Sequence, residues 1–399
     1  MNVFTSKYFL LLLFSFSFHF SDVFGQDDKN QIDLEKPTLE IGGALRFNYN
    51  YSTWKDGQKK RGGDFGYDVF RLNVKAAYEG VKLNAEYRLY SNSFGGGMLK
   101  QGWLAYDFND QNEIQIGLTQ VPFGITQYNS HCWFFSIDYY VGLEDDHDMG
   151  VKFQHEDEVW DYSIAFFKNA EELNFGSNSD ISFSRYSYDV SSIDANGDGN
   201  LQFRNKEVNQ LNGKLLYKFG GMDYAQKIGV SAEFGGLYNL DTENMGNHYA
   251  FAVHHELDAG KIDTKAQIAY YKYNPDGPAG ESDQVIAMAA YGAAYFVAAE
   301  ATIYTLGIGY SIPVDWKPIS KIVLYNDFGF MDKTQSDFED SYMNVTGALL
   351  TAGQVYTYID FAAGKNHPWL GPVWEAALAE GTPGSGWDMR FNINLGYYF

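Results

Sequence analysis

From about residue 39 onward the chain alternates apolar and polar positions with a period of two, the pattern of strands wetted on one face. The last segment shows it most plainly. Met389, Phe391, Ile393, Leu395, Tyr397 and Phe399 fall on one parity, and Arg390, Asn392, Asn394 and Gly396 on the other. Residues 39–51 set Leu39, Ile41, Leu45, Phe47, Tyr49 and Tyr51 against Glu40, Arg46, Asn48 and Asn50. Residues 69–79 set Phe70, Leu72, Val74, Ala76 and Tyr78 against Arg71, Asn73, Lys75 and Glu79. Residues 81–90 set Val81, Leu83, Ala85, Tyr87 and Leu89 against Lys82, Asn84, Glu86 and Arg88. In all four, every charge shares the parity of the asparagines. One polar sheet face would satisfy this, but a wall against hydrocarbon requires it, because a Lys or Arg facing lipid at mid-bilayer costs about 2–4 kcal/mol.

The connectors separate a barrel from a soluble sandwich. Sixteen strands are predicted, at 39–51, 68–79, 81–90, 99–108, 112–121, 148–157, 160–169, 209–219, 226–239, 247–258, 261–273, 300–312, 319–331, 341–353, 355–363 and 387–399. Long gaps at 52–67, 122–147, 170–208, 274–299 and 364–386 are interspersed with brief ones, such as Glu79-Gly80, Ala259-Gly260 and Gly353-Gln354. Short turns at one rim and long loops at the other mark transmembrane antiparallel up-and-down β-barrels, with the short turns periplasmic and the long loops extracellular. Val285 to Ala298 is apolar on both parities and cannot serve as a wall with one wet face, so it is assigned to a loop. The predicted fold class is all-β, a barrel of about 16 strands over residues 39–399, after a periplasmic stub at 26–38.

Composition fits. Tyr 31, Phe 31 and Trp 8 make 18% of the chain, and 41 Gly beside 9 Pro suit many strands and tight turns. Residues 1–25 read as a secretory signal peptide, with Lys7, an apolar run from Tyr8 to Phe20 and a cleavage site after Gly25. The single cysteine, Cys132, excludes an internal disulfide. A net charge of −22 argues against nucleic acid as a partner. No nucleophile elbow, phosphate-cradling loop or zinc spacing appears, and His254 and His255 would sit on opposite strand faces.

The terminal stretch Phe391 to Phe399 resembles the aromatic-ended signal that barrel assembly machinery recognises. Gln115 to Gly124, Tyr325 to Lys333, Asn344 to Gly347 and Gly364 to Gly371 resemble segments of the phosphate-selective porin O/P family. That resemblance implies a barrel in the outer membrane of a Gram-negative cell, in contact with lipid and lipopolysaccharide, commonly a homotrimer, with a loop folded into the lumen. It implies a water-filled channel for passive diffusion of small hydrophilic solutes or ions, anions such as phosphate among them. The acidity departs from a dedicated anion channel. An outer-membrane barrel enzyme of lipase or protease type, or a non-conducting adhesion barrel, stands as the alternative.

Three constellations carry candidate chemistry. Arg390, Arg46, Arg71 and Arg88 would lie on four consecutive strands once the barrel closes, about 25–30 Å from the short-turn end at the strand rise. Lys75 and Lys82 would lie lower on the same wall. These are either a positive pore-lining strip or braces paired with Glu40, Glu79 and Glu86. In loop 122–147, Trp133 precedes Glu144, Asp145 and Asp146. If the loop folds inward as a constriction, its acids would oppose the arginines and set up a transverse field. Third, Asp194, Asn196, Asp198 and Asn200 match positions one, three, five and seven of a Ca²⁺ loop, with Gly199 at six. Asn205 replaces the bidentate Glu at twelve, so any Ca²⁺ in this extracellular loop would be weakly held, and no cofactor is otherwise required.

Overall fold

A computed structural model describes residues 36–171 and 183–399, of which 37–399 form one compact unit. The predicted signal segment and most of the predicted stub lie outside the described residues. The described residues form nineteen strands. The first seven are β1 (Thr38–Ser52), β2 (Asp64–Tyr78), β3 (Val81–Leu89), β4 (Gly97–Asn109), β5 (Asn112–Gln120), β6 (His147–Glu156) and β7 (Trp160–Ala170). Then follow β8 (Asp189–Val190), β9 (Asn205–Gly220), β10 (Ala225–Asn239), β11 (Met245–Ala259), β12 (Ile262–Asn274), β13 (Val285–Ala290) and β14 (Ala293–Ala298). The last five are β15 (Glu300–Trp316), β16 (Ile319–Lys333), β17 (Ser341–Ala352), β18 (Val355–Lys365) and β19 (Asp388–Tyr398).

All but β8, β13 and β14 form one closed antiparallel barrel of 16 strands, each paired with its neighbour along the chain and β19 returning to β1. At that seam the register sets Arg46 opposite Gly396 and Ser52 opposite Arg390. Phe399 finishes the closure, its backbone exchanging hydrogen bonds with Gly43 at 2.8 and 3.1 Å. The wall faces apolar outward. Val81, Leu83, Tyr87 and Leu89 on β3 are exposed, as are Ile228, Val230 and Phe234 on β10 and Tyr304, Leu306, Ile308 and Tyr310 on β15. A water-soluble molecule does not present such a continuous apolar girdle, whereas a bilayer demands it. Among the described residues no helix is long and apolar enough to cross a membrane. The period-two pattern therefore maps onto lipid outside and polar interior: on β19, Leu395 and Tyr397 are exposed while Asn392 and Asn394 are buried.

Parity breaks where an extra residue enters. On β2 the outward residues are Phe65 and Tyr67, then Phe70 and Leu72, because the register opposite β1 skips Asp68. That bulge frees the Asp68 carboxylate to meet Arg46 Nε at 2.8 Å.

The interior is not empty. Strands β14, β13 and β8 make a separate three-stranded sheet, which corrects the assignment of 285–298 to irregular loop. Those residues are strand, yet they stay out of the wall. All six residues of β13 are buried, which is why no parity in that stretch is polar. Tyr291 and Gly292 turn the hairpin with φ of 53° and 80°, the two positive values that a two-residue turn of this hand needs. A Cβ on Gly292 would lie 3.0 Å from the Gly95 backbone nitrogen, so the turn abuts the β3–β4 loop. The loop 366–387 joins the edge of β14, with the Phe296 and Ala298 amides donating to the Glu375 and Leu378 carbonyls. Tyr139, Tyr186, Tyr188, Ile286, Met288 and Tyr295 make the centre of this inner body.

Candidate functional site

The β5–β6 loop, residues 121–146, crosses the barrel interior and is fastened to the far wall by specific polar contacts. The Gly124 amide donates to Ser231 Oγ on β10 (2.9 Å) and the Ile125 amide to Gln267 Oε1 on β12 (2.9 Å). Asn129 Nδ2 donates to Thr305 Oγ1 on β15 (2.8 Å) and to Asp138 (2.8 Å). Lys265 Nζ caps the Tyr128 and Ser130 carbonyls. His131 sits between Asp263 on β12 (2.5 Å) and Asp327 on β16 (2.7 Å), and the His131 and Cys132 amides also donate to Asp327. Burial alone would lower the His131 pKa, but the hydrogen bonds its ring donates to both carboxylates overcome it and push the ring up to about 9. This imidazole is therefore cationic at neutral pH.

Between that loop and the β19–β3 wall lies a cavity of about 880 Å³. Arg46, Arg71, Arg88 and Arg390 all line it, with His131 and Trp133 on the loop side. Arg71 and Arg88 are direct cross-strand neighbours. The guanidinium of Arg46 stacks 4.2 Å from the Trp133 ring, that of Arg88 lies 4.4 Å from Tyr186, and that of Arg390 lies 5.5 Å from Trp54. Such contacts hold a cation in place without neutralising it. Neutralisation is uneven. Arg46 meets Asp68, and Arg88 meets Glu86 at 2.6 Å, with Arg71 3.8 Å from the same carboxylate. Among the described residues no carboxylate lies within ion-pair distance of Arg390, and its Nε has no hydrogen-bond partner. The strip is thus part brace and part unneutralised charge.

Lys75 and Lys82 do not join it. Lys75 is exposed, opposite Glu40 in the β1–β2 register, and Lys82 is tied to Asp107 (2.8 Å) and Glu113 (3.0 Å).

The three acids of the loop require a correction. None of Glu144, Asp145 and Asp146 lines the cavity. Glu144 is buried and accepts the Asn129 and Ser136 amides at 2.8 and 2.9 Å, closing the loop on itself. Burial pushes its carboxyl up to about 7. Asp145 is buried against Lys100 (2.7 Å) and the Tyr186 hydroxyl (2.7 Å). Asp146 is 6% exposed and accepts the His147 amide at 2.8 Å. Acids followed by a re-entering strand look solvated in sequence, but an interior loop must satisfy its own backbone, and Glu144 does that here, while Asp145 holds a lysine and a tyrosine from elsewhere in the barrel. What meets the arginines across the cavity is aromatic, not acidic.

Asp194, Asn196, Asp198 and Asn200 form a small exposed turn. Asp194 accepts the Asp198 and Gly199 amides (3.1 and 3.0 Å), and Asp198 accepts the Asn200 amide (2.9 Å). The turn is closed by its own hydrogen bonds.

Sequence reasoning missed Tyr186, Tyr188, Tyr291 and Trp369, which line the cavity from other loops. Aromatic residues inside long connectors were the available signal, since a loop bathed in water has no use for a tyrosine cluster. His131 was missed too, because its partners stand 132 and 196 residues away.

Comparison of the sequence with known families and with curated proteins gives no match. Among solved structures, the barrel is similar to an anion-selective porin from Comamonas acidovorans: 11% identical, covering 91% of this chain and 100% of that one, TM-score 0.58. It is similar to OmpF of Salmonella typhi in complex with daunomycin, at 10% identity, 90% and 97% coverage and TM-score 0.56. The outer membrane channel DcaP of Acinetobacter baumannii matches at 12% identity, 91% and 97% coverage and TM-score 0.53. At these identities the likeness is one of fold. The chain has the barrel architecture of outer-membrane porins, and no match singles out the phosphate-selective O/P branch.

Proposed function

We propose that the protein is an outer-membrane porin for passive diffusion of small hydrophilic solutes, with anions favoured where the arginines converge. The observation that carries this reading is the cavity of about 880 Å³ inside a lipid-facing barrel, lined by four arginines from four adjacent strands. Charged groups at the narrowest point set selectivity, because a solute there sheds water against them. Phosphate is one such anion, and its case rests on the sequence resemblance alone. A homotrimer, export by a cleaved signal and assembly into a membrane with lipopolysaccharide belong to the same proposal. So does weak Ca²⁺ at the exposed turn of Asp194 and Asp198. Purified protein in planar bilayers should show ion conductance and, in lipase and protease assays, no hydrolysis; hydrolysis without conductance would overturn the reading.

The packed inner body favours one variant of it. Residues such as Ile286, Met288 and Tyr295 fill the lumen beside the cavity, so the resting barrel would be narrow or closed. Silent wild-type bilayers that begin to conduct when the inner hairpin is removed would select that variant.

A further inference from the structure

Outside the lining of that cavity, four carboxylates converge from three places in the chain. Asp146 ends the β5–β6 loop, Asp148 is the second residue of β6, Glu171 follows β7 and Asp189 lies in the inner strand β8. All four are buried, and one oxygen from each lies within 4.8 Å of the others. The Arg185 guanidinium reaches Asp189 at 3.2 Å, and a fifth buried acid, Glu207, stands beside Asp189. A second observation separates this from mere acidic crowding. Asp148 is 1% exposed and directs its carboxylate into the set, yet its Oδ1 has no hydrogen-bond partner. Leaving such an oxygen unsatisfied is costly in a folded interior.

We propose that Asp146, Asp148, Glu171 and Asp189 bind a divalent cation, Ca²⁺ by preference, that pins the inner sheet to the barrel wall. The donor set is all oxygen, the chemistry of a hard cation. Ligands on opposite sides of a Ca²⁺ ion stand about 4.8 Å apart at bond lengths of about 2.4 Å, and the four oxygens lie within that distance of one another. Mg²⁺ demands a tighter octahedron and gives up its water reluctantly, so it should compete poorly. The neighbours are already arranged. Glu171 is oriented by the Tyr186 and Ser187 amides at 2.9 Å each, and Asp148 by Gln210 at 3.3 Å. Without a cation, burial beside Asp189, Asp148 and Glu171 pushes the Asp146 carboxyl well above its ordinary range. The competing account is therefore a set of shared protons. This site is distinct from the exposed turn at Asp194, and it is independent of conduction, so its failure leaves the porin reading untouched.

The test is calorimetric titration of the folded, detergent-purified chain with CaCl₂ and then MgCl₂ after chelator treatment, with heat-modification temperature as a second readout. Asp148→Asn is the site variant, and the double variant Asp194→Asn, Asp198→Asn is the control. One Ca²⁺ should bind per chain at micromolar or tighter affinity and raise the unfolding temperature. Asp148→Asn should weaken it at least tenfold, while the control keeps it. Should Asp148→Asn fail to fold, elemental analysis of the wild type after gel filtration into metal-free buffer decides, one retained Ca²⁺ per chain supporting the site. The proposal is overturned by no Ca²⁺ heat at millimolar concentration, by unchanged binding in Asp148→Asn, by loss of binding in the control, or by a metal-free filtered protein.

Discussion

At the scale of single residues, His131 is where the interior loop is most exposed to a change of pH. Its ring bridges two carboxylates on two wall strands, and its pKa stands at about 9 against an ordinary value of 6.5. A cation whose folded pKa is raised contributes stability fully below its unfolded pKa and loses it as pH rises through the folded one. The window is therefore pH 6.5 to 9, and the stabilisation at stake is on the order of 2 kcal/mol once the partial exposure of Asp263 is allowed for. Heat-modification temperatures measured from pH 6 to 10 should fall across that window in the wild type. His131→Gln should start lower and lose the slope above about pH 8, where the Glu144 carboxyl, pushed up to about 7, is already ionised; a wild type with no slope there would show that the imidazole is not charged. The same titration removes a positive group from the cavity, so anion preference should also decline as pH rises through about 9. None of this was legible in the sequence, where His131 lies in an aromatic stretch with its partners more than a hundred residues away.

At the scale of elements, the inner hairpin and the terminal strand play opposite parts. The hairpin β13–β14 pairs with itself, with β8 and with loop 366–387, and contributes nothing to the closed wall. Each buried large side chain in it, such as Ile286 or Met288, stabilises the inner body by about 1.5–3 kcal/mol relative to exposure. Replacing residues 285–298 with a short Gly-Ser linker should thus leave a β-rich, heat-modifiable barrel and raise single-channel conductance severalfold. A variant that fails to insert would mean the inner sheet is needed to template the wall. Phe399 does the reverse: it adds no lumen contact, but its backbone supplies two seam hydrogen bonds, at about 1 kcal/mol each, and its ring lies beside Phe70. Deleting it should lower the yield of folded barrel in a detergent refolding assay while conductance of the folded fraction stays unchanged. The wall strands could be read from sequence because lipid on one side and polar groups on the other force a period of two. The hairpin could not, since burial on both faces erases that period. Its apolar run was visible, but a strand packed inside a barrel has no separate pattern to announce it.

At the scale of the whole molecule, net charge and local charge pull in opposite directions. The chain carries −22 in all, which alone would favour cations. Charges farther than about 8–10 Å from a permeating ion are largely screened at physiological salt, so the cavity should dominate what the loops and rims contribute. Within it the four arginines are not equivalent. Neutralising Arg46, Arg71 and Arg88 together removes three positive charges but also strips Asp68 and Glu86 of their partners, leaving interior carboxylates that are costly to keep unpaired. Those carboxylates would themselves attract cations. Arg390 has no such partner among the described residues, so Arg390→Gln removes one charge and orphans nothing. In salt-gradient bilayers the wild type should show weak selectivity for simple ions. Arg390→Gln should move the reversal potential modestly toward cations with folding intact. The Arg46→Gln, Arg71→Gln, Arg88→Gln triple should move it further, at a cost in heat-modification temperature that Arg390→Gln does not share. If both variants fold and neither shifts the potential, solutes do not pass the arginine strip, and those side chains serve to hold the wall and the inner loop together.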